Sequence, residues 1–280
     1  MRAFSCLAVS LLSLAPAAAD ASFILALESD ADAAADSEVF FVSYPTFDEL
    51  VTDTNASGMF GGINVASGFS FGGLAYDGQF RLLLESDADA GADSEAFFVT
   101  YPTFDDLVTD TNASGMFGGV NIASGFSAGG LAYDGQFRLL LESDADAGAD
   151  SEAFFVAYPT FDDLVADTDA SGVFGGINIA SGFSAAGLAY DGQFRLALES
   201  DADAGADSEV FFVTYPTFTD LVADTNASGL FGGINVASGF SARGLAWAPG
   251  ITPPPPAPIP LPAGLPLLLG ALGLLALRRR

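Results

Sequence analysis

Three observations predict an all-β ring, a four-bladed β-propeller. A 57-residue unit is written four times, each unit holds four strand-like segments, and the two chain ends carry complementary halves of one unit. The repeat is direct: Phe23-Ile-Leu-Ala-Leu-Glu-Ser-Asp30 returns as Phe80–Asp87, Phe137–Asp144 and Phe194–Asp201. The units run 23–79, 80–136, 137–193 and 194–248 within a body of 20–248. Units two and three differ at six positions, 100/157, 109/166, 112/169, 116/173, 120/177 and 129/186.

The strands follow from local pattern. Gly130-Leu-Ala-Tyr133 ends in Asp134-Gly135, a hairpin pair that supplies a positive φ. The equivalent segment, Gly73–Gly78, leads into Phe80-Arg-Leu-Leu-Leu-Glu85, where Phe80, Leu82 and Leu84 face one side and Arg81, Leu83 and Glu85 the other. Glu95–Tyr101 is aromatic and β-branched, as a buried strand should be. Phe117–Ile122 is the fourth strand. Between the last two, Thr103 and Asp106 are placed to cap one helical turn. The Gly-Leu-Ala-Tyr-Asp-Gly start is similar to the opening strand of several propeller families.

The ends predict how the ring closes. The repeat opens at Phe23 with no Gly-Leu-Ala-Tyr strand before it, and finishes at Gly244-Leu-Ala-Trp247 with no Phe-x-Leu strand after it. Pairing of Gly244–Trp247 with Phe23–Leu27 completes one blade and removes exposed sheet edges. The alternative is an open array with truncated terminal repeats.

Composition narrows function. The 280 residues include 36 acids, eight arginines, no lysine and no histidine. All the acids lie between Asp20 and Asp224, and only four arginines accompany them, so the stretch 20–250 carries −32. Such a body repels nucleic acid phosphates and anionic lipid headgroups, and no nucleic acid partner is expected. The one cysteine, Cys6, lies near the N-terminus. The body therefore lacks disulfides, imidazole or thiolate metal sites, Ser-His-Asp or Cys-His nucleophiles and Schiff-base lysines. Hydroxyls, carboxylates and arginine are what is left for chemistry.

Both ends read as addresses. Residues 1–19 have the secretory pattern: Arg2, an apolar stretch from Phe4 to Leu14, then Pro16-Ala-Ala-Ala19 before Asp20. Residues 249–260 are proline-rich, including Pro253–Pro256, and predict an extended, semi-rigid linker. Residues 261–280 hold an apolar run, Leu261–Leu277, roughly 25 Å long as a helix, enough for a short membrane span. Arg278-Arg279-Arg280 follow and place that end in the cytoplasm.

Ile259-Pro-Leu-Pro-Ala-Gly264, the Leu/Gly helix and the arginine cluster together resemble the VPLPA-CTERM sorting signal, a relative of the PEP-CTERM tails handled by exosortases in Gram-negative bacteria. Ile259 replaces the family's valine. The resemblance covers about the last two dozen residues. It implies an exosortase-type processing enzyme as partner, a transient inner-membrane anchor, and delivery to the cell surface or medium, often alongside exopolysaccharide.

The candidate site is acidic. Each unit carries a run such as Glu85-Ser-Asp-Ala-Asp-Ala-Gly-Ala-Asp-Ser-Glu95 between two strands. The candidate Ca²⁺ ligands are Asp30, Asp32, Asp36 and Glu38; Asp87, Asp89, Asp93 and Glu95; Asp144, Asp146, Asp150 and Glu152; and Asp201, Asp203, Asp207 and Glu209. Hard oxygen donors at alternate positions of a tight loop are what Ca²⁺ takes, and the alanines between them avoid crowding. The pattern is similar to the nine-residue calcium loops of integrin-type propeller blades, except that Gly or Ala34 stands at the fifth position, where those loops have Asp or Asn. The competing reading is a solvated acidic hairpin that keeps an apolar protein soluble.

A second motif, Asp53-Thr-Asn55-Ala-Ser57-Gly58, begins like an EF-hand loop, but Asn64 stands where the bidentate Glu belongs, and an Asx turn is the plainer expectation. Catalysis by paired carboxylates needs one acid made unlike its neighbour, which four near-identical loops do not offer. The function expected is a non-enzymatic exported adhesion or binding protein, directed to extracellular polysaccharide or another surface protein. The alternative is a secreted carbohydrate hydrolase.

Overall fold

A computed structural model describes residues 22–29, 36–86, 93–143, 150–200 and 207–250. Four antiparallel four-stranded sheets stand around one axis, a four-bladed β-propeller. The first blade holds β1 (Ser22–Ser29), β2 (Ser37–Tyr44), α1 (Phe47–Val51) and β3 (Met59–Val65). The second holds β4 (Phe69–Tyr76), β5 (Phe80–Ser86), β6 (Ser94–Tyr101), α2 (Phe104–Val108) and β7 (Phe117–Ile122). The third holds β8 (Phe126–Tyr133), β9 (Phe137–Ser143), β10 (Ser151–Tyr158), α3 (Phe161–Ala166) and β11 (Val173–Ile179). The fourth holds β12 (Phe183–Tyr190), β13 (Phe194–Ser200), β14 (Ser208–Tyr215), α4 (Phe218–Val222) and β15 (Phe231–Val236). The last strand, β16 (Phe240–Ala248), returns to the first blade, whose order is β16-β1-β2-β3.

Closure therefore takes the form that the orphan halves require. Phe23 pairs with Trp247, Ile24 with Ala246, Leu25 with Leu245 and Ala26 with Gly244. Blades and repeats are out of phase by one strand: each repeat supplies three strands to its own blade and the inner strand of the next. Every blade thus joins two repeats, and the first and last strands, β1 and β16, are tied into one sheet.

The inner strands β4, β8, β12 and β16 nearly touch at the axis. A Cβ on Gly187 would lie 2.5 Å from the Leu245 nitrogen, and one on Gly73 2.9 Å from that of Leu131. Glycine is what lets the backbones approach this closely. The core is four clusters, one per blade interface. Between the first two blades, for example, Ile24, Val39, Phe41 and Ile63 pack on Phe71, Leu74, Phe80 and Leu82. Both faces of each sheet are buried, so Leu82 serves one interface and Leu83 the next.

Local details follow the sequence closely. Thr103 accepts the Asp106 N–H at 3.1 Å and donates its hydroxyl to the Asp106 carboxylate at 2.6 Å, starting α2. The hairpin after Tyr133 has three loop residues, Asp134-Gly135-Gln136, not a two-residue Asp-Gly turn, because Tyr133 pairs directly with Phe137. Gly135 alone of the three has positive φ, and Asp134 instead accepts the Gln136 N–H. The inner strands also begin earlier than their Gly-Leu-Ala-Tyr segments, at Phe69, Phe126, Phe183 and Phe240. The signal segment 1–19, the linker beyond Gly250 and the tail 261–280 lie outside the described residues. Among the described residues no helix is long and apolar enough to cross a membrane.

Candidate functional site

The acidic hairpins connect β1 to β2, β5 to β6, β9 to β10 and β13 to β14. By antiparallel order all four leave the same rim of the ring, alongside the turns that carry the chain from one blade to the next. Asp36, at the foot of β2, accepts the N–H of Ser67 in such a turn at 2.9 Å. Asp93, Asp150 and Asp207 do the same with Ser124, Ser181 and Ser238. Each of these aspartates commits one carboxylate oxygen to holding its hairpin against its own blade's outer turn.

Glu38, Glu95, Glu152 and Glu209 are exposed, with backbone N–H groups held by the hydroxyls of Ser29, Ser86, Ser143 and Ser200. The Glu38 stem packs on Gly62, where a Cβ would meet it at 3.3 Å. Asp30, Asp32, Asp87, Asp89, Asp144, Asp146, Asp201 and Asp203 lie outside the described residues. Among the described residues no group of three or more acids converges as a metal ion would need. Half of each candidate ligand set is thus placed on one rim, engaged in fixing the hairpin.

The first acid of each run has a different task, which sequence reasoning missed. Glu28 is buried and accepts the Ser37 hydroxyl at 2.7 Å and the N–H of Phe71, in the next blade, at 3.2 Å. Glu85 takes Ser94 and Ala128, Glu142 takes Ser151 and Ala185, and Glu199 takes Ser208 and Ala242. In each inner strand the donated N–H stands just before a one-residue bulge. Each blade interface is therefore crossed by one carboxylate clasp. Arg243, half-exposed in the last bulge, lies 4.0 Å from Glu28.

The other three body arginines sit at the opposite rim. Arg81, Arg138 and Arg195 each pair with the aspartate four residues earlier at 2.9–3.0 Å. Their guanidinium groups lie 4.0 Å over the rings of Phe161, Phe218 and Phe47 in the following blade. These arginines are thus internal partners of the acids, and the aromatic contact adds a cross-blade link.

The Asp53 motif does not converge on one point. Asp53 accepts the Tyr44 hydroxyl at 2.8 Å, Asn55 donates to Glu49 at 2.7 Å, and Ser57 accepts the Ser43 N–H at 3.1 Å. Asp53 and Asn55 both have positive φ. This is a turn stitched to its blade, and burial beside the Asp53 carboxylate pushes the Tyr44 hydroxyl well above the ordinary tyrosine range.

Compared with protein family models, curated proteins and solved structures, the chain matches none.

Proposed function

We propose that this chain is a non-enzymatic exported surface protein, a propeller that works as an adhesion or binding module toward extracellular polysaccharide or another surface protein. The observation that carries the reading is the placement of all four acidic hairpins on one rim of a closed ring, each anchored by its own Asp–Ser contact. Repeated, equivalent loops on one face suit multivalent contact with a repetitive partner. They do not suit a reaction that needs two carboxylates of unlike protonation. Ca²⁺ is the ion such loops would take, through Asp30, Asp32, the second oxygen of Asp36 and Glu38, and their equivalents. The glutamates of the clasp, outside that set, are engaged in hydrogen bonds across the interface.

The terminal segments supply the address in this reading: export by residues 1–19, transient inner-membrane anchoring by 261–277, processing by an exosortase-type enzyme, and release to the surface or medium. Mass spectrometry of the protein recovered from cells tests it. Loss of Leu267–Leu277 from the surface fraction, blocked when Pro260–Gly264 is altered, is the expected result. Retention of that segment in every fraction contradicts it and makes the tail a permanent anchor.

A further inference from the structure

Between the second and third blades lies a slot of about 270 Å³. That volume approaches the lower end of small-molecule sites, about 300 Å³ and upward, and far exceeds the voids of a packed interior. Leu139, Leu141 and Val156 form its apolar wall, and these residue types recur at the matching positions of every repeat. Two lining residues do not. Val120 stands where the other repeats have Ile63, Ile177 and Ile234, and Val173 where they have Met59, Met116 and Leu230. Both are the smallest side chains at their positions, and both line this one slot.

The other differences gather in the same place. Of the six positions that distinguish repeats two and three, five are on or beside the slot. Positions 120 and 173 line it, while 157, 166 and 169 are chain neighbours of the lining residues Val156, Tyr158, Asp167 and Ala170. The three sister interfaces repeat the same wall residues with larger side chains at both varied positions.

The polar residues lining the slot are Asn121, Tyr158 and Asp167, and of these Asp167 alone carries a charge. Asp167 accepts the Tyr158 hydroxyl at 2.7 Å with one carboxylate oxygen and keeps the other. Asp169 follows two residues on, where the other repeats have asparagine. The arginine of this interface, Arg81, is paired with Asp77 and lies over the Phe161 ring, and Arg138 is committed to Asp134 and the Phe218 ring of the next interface. An anion would meet repulsion there, and a protonated nitrogen would be attracted.

We infer that this slot binds a small apolar amine, an alkyl or aryl group carrying one protonated nitrogen, with the apolar part against Leu139, Leu141 and Val156 and the nitrogen toward Asp167. The probes are octylamine and octanoate, titrated below their micellar range into the intact protein while the methyl NMR signals of Val120 and Val173 are followed. Octylamine should give saturable shifts at both residues, and octanoate should need at least ten times the concentration. The double variant Val120→Ile/Val173→Met installs the residues of the sister interfaces. It should weaken octylamine binding at least tenfold with an equal or higher melting temperature, so that the loss cannot come from unfolding. Asp167→Asn, which leaves Tyr158 an acceptor, should erase the preference for amine over carboxylate. Absence of saturable shifts, equal binding by the double variant, or equal affinity for octanoate in the unaltered protein would each overturn the assignment.

Discussion

Glu199 accepts the backbone N–H of Ala242 at 3.0 Å across the interface between the fourth blade and the first, which β1 and β16 share. The same clasp crosses the other three interfaces, so the ring is held by four carboxylates in addition to its apolar core. The side chain must reach from one sheet to the next, which explains a glutamate, with its additional methylene, at the head of a run otherwise written in aspartate. Glu85→Ala would leave the buried Ser94 hydroxyl and the Ala128 N–H without their acceptor. Its expected cost is about 2–3 kcal/mol, read from urea unfolding. A loss below about 0.5 kcal/mol would remove the clasp from the account.

The closing blade supplies its own double substitution. Where the other blades have Arg81 with Asp77, and their equivalents, the first blade has Ile24 with Ala248, both buried. Phe104, which would lie under the missing guanidinium, is packed into the same apolar cluster. Both charges have gone together, as a mostly buried pair requires. Arg81→Ile alone should therefore cost about 2–3 kcal/mol, because Asp77 is left without its partner. Adding Asp77→Ala should recover most of that loss. A double variant as unstable as the single one would show that the Phe161 contact, not the ion pair, dominates.

The short helices carry the pH dependence. Hydrogen bonds from Thr103, then Asn112, hold the Asp106 carboxyl below its ordinary range. Thr217 with Asn226 does the same for Asp220, and Asn55 with Thr46 for Glu49. A carboxyl lowered in the folded state stabilises it above the unfolded-state pKa, and that contribution fades as pH falls through the folded value. The caps should thus be intact at pH 5 and released only under more acidic conditions. Carboxyl ¹³C NMR titration checks this, with Asp106 expected to move below the ordinary aspartate midpoint. Asn112→Ala should shift that midpoint upward, since it removes one of the donors.

The ring was legible because its signals are local or periodic. The 57-residue period, the aromatic third strand and the orphan halves at Phe23 and Trp247 each point to a propeller closed by its ends. The cross-blade contacts were not legible, because their partners are far apart along the chain. Glu28 meets the N–H of Phe71, 43 residues on, and Arg81 lies over Phe161 in the next blade. One signal did exist in the repeats: arginine at position 24 and aspartate at position 248 are missing together, and only at the two ends that share a blade. In the acidic loops, alternating aspartates drew attention to a metal, while the glutamate heading each run looked like one more loop acid. Its role rests on a bulge in the following inner strand that no local pattern announces.

Calcium is the most direct test of the proposed surface module. Four acidic hairpins on one rim repel one another, and one Ca²⁺ per hairpin would take the body from −32 to −24. A ligand that binds only the folded state stabilises it by about 2.7 kcal/mol per site at a hundredfold excess over its dissociation constant, and extracellular calcium modules bind at about 0.1–1 mM. The measurement is the melting temperature of the purified protein in millimolar CaCl₂ against NaCl of equal ionic strength. A rise specific to CaCl₂, abolished by Asp87→Ala with Asp89→Ala and the matching changes in the other three hairpins, is the predicted result. Identical melting curves in the two salts would contradict it and leave the hairpins as solvated acid.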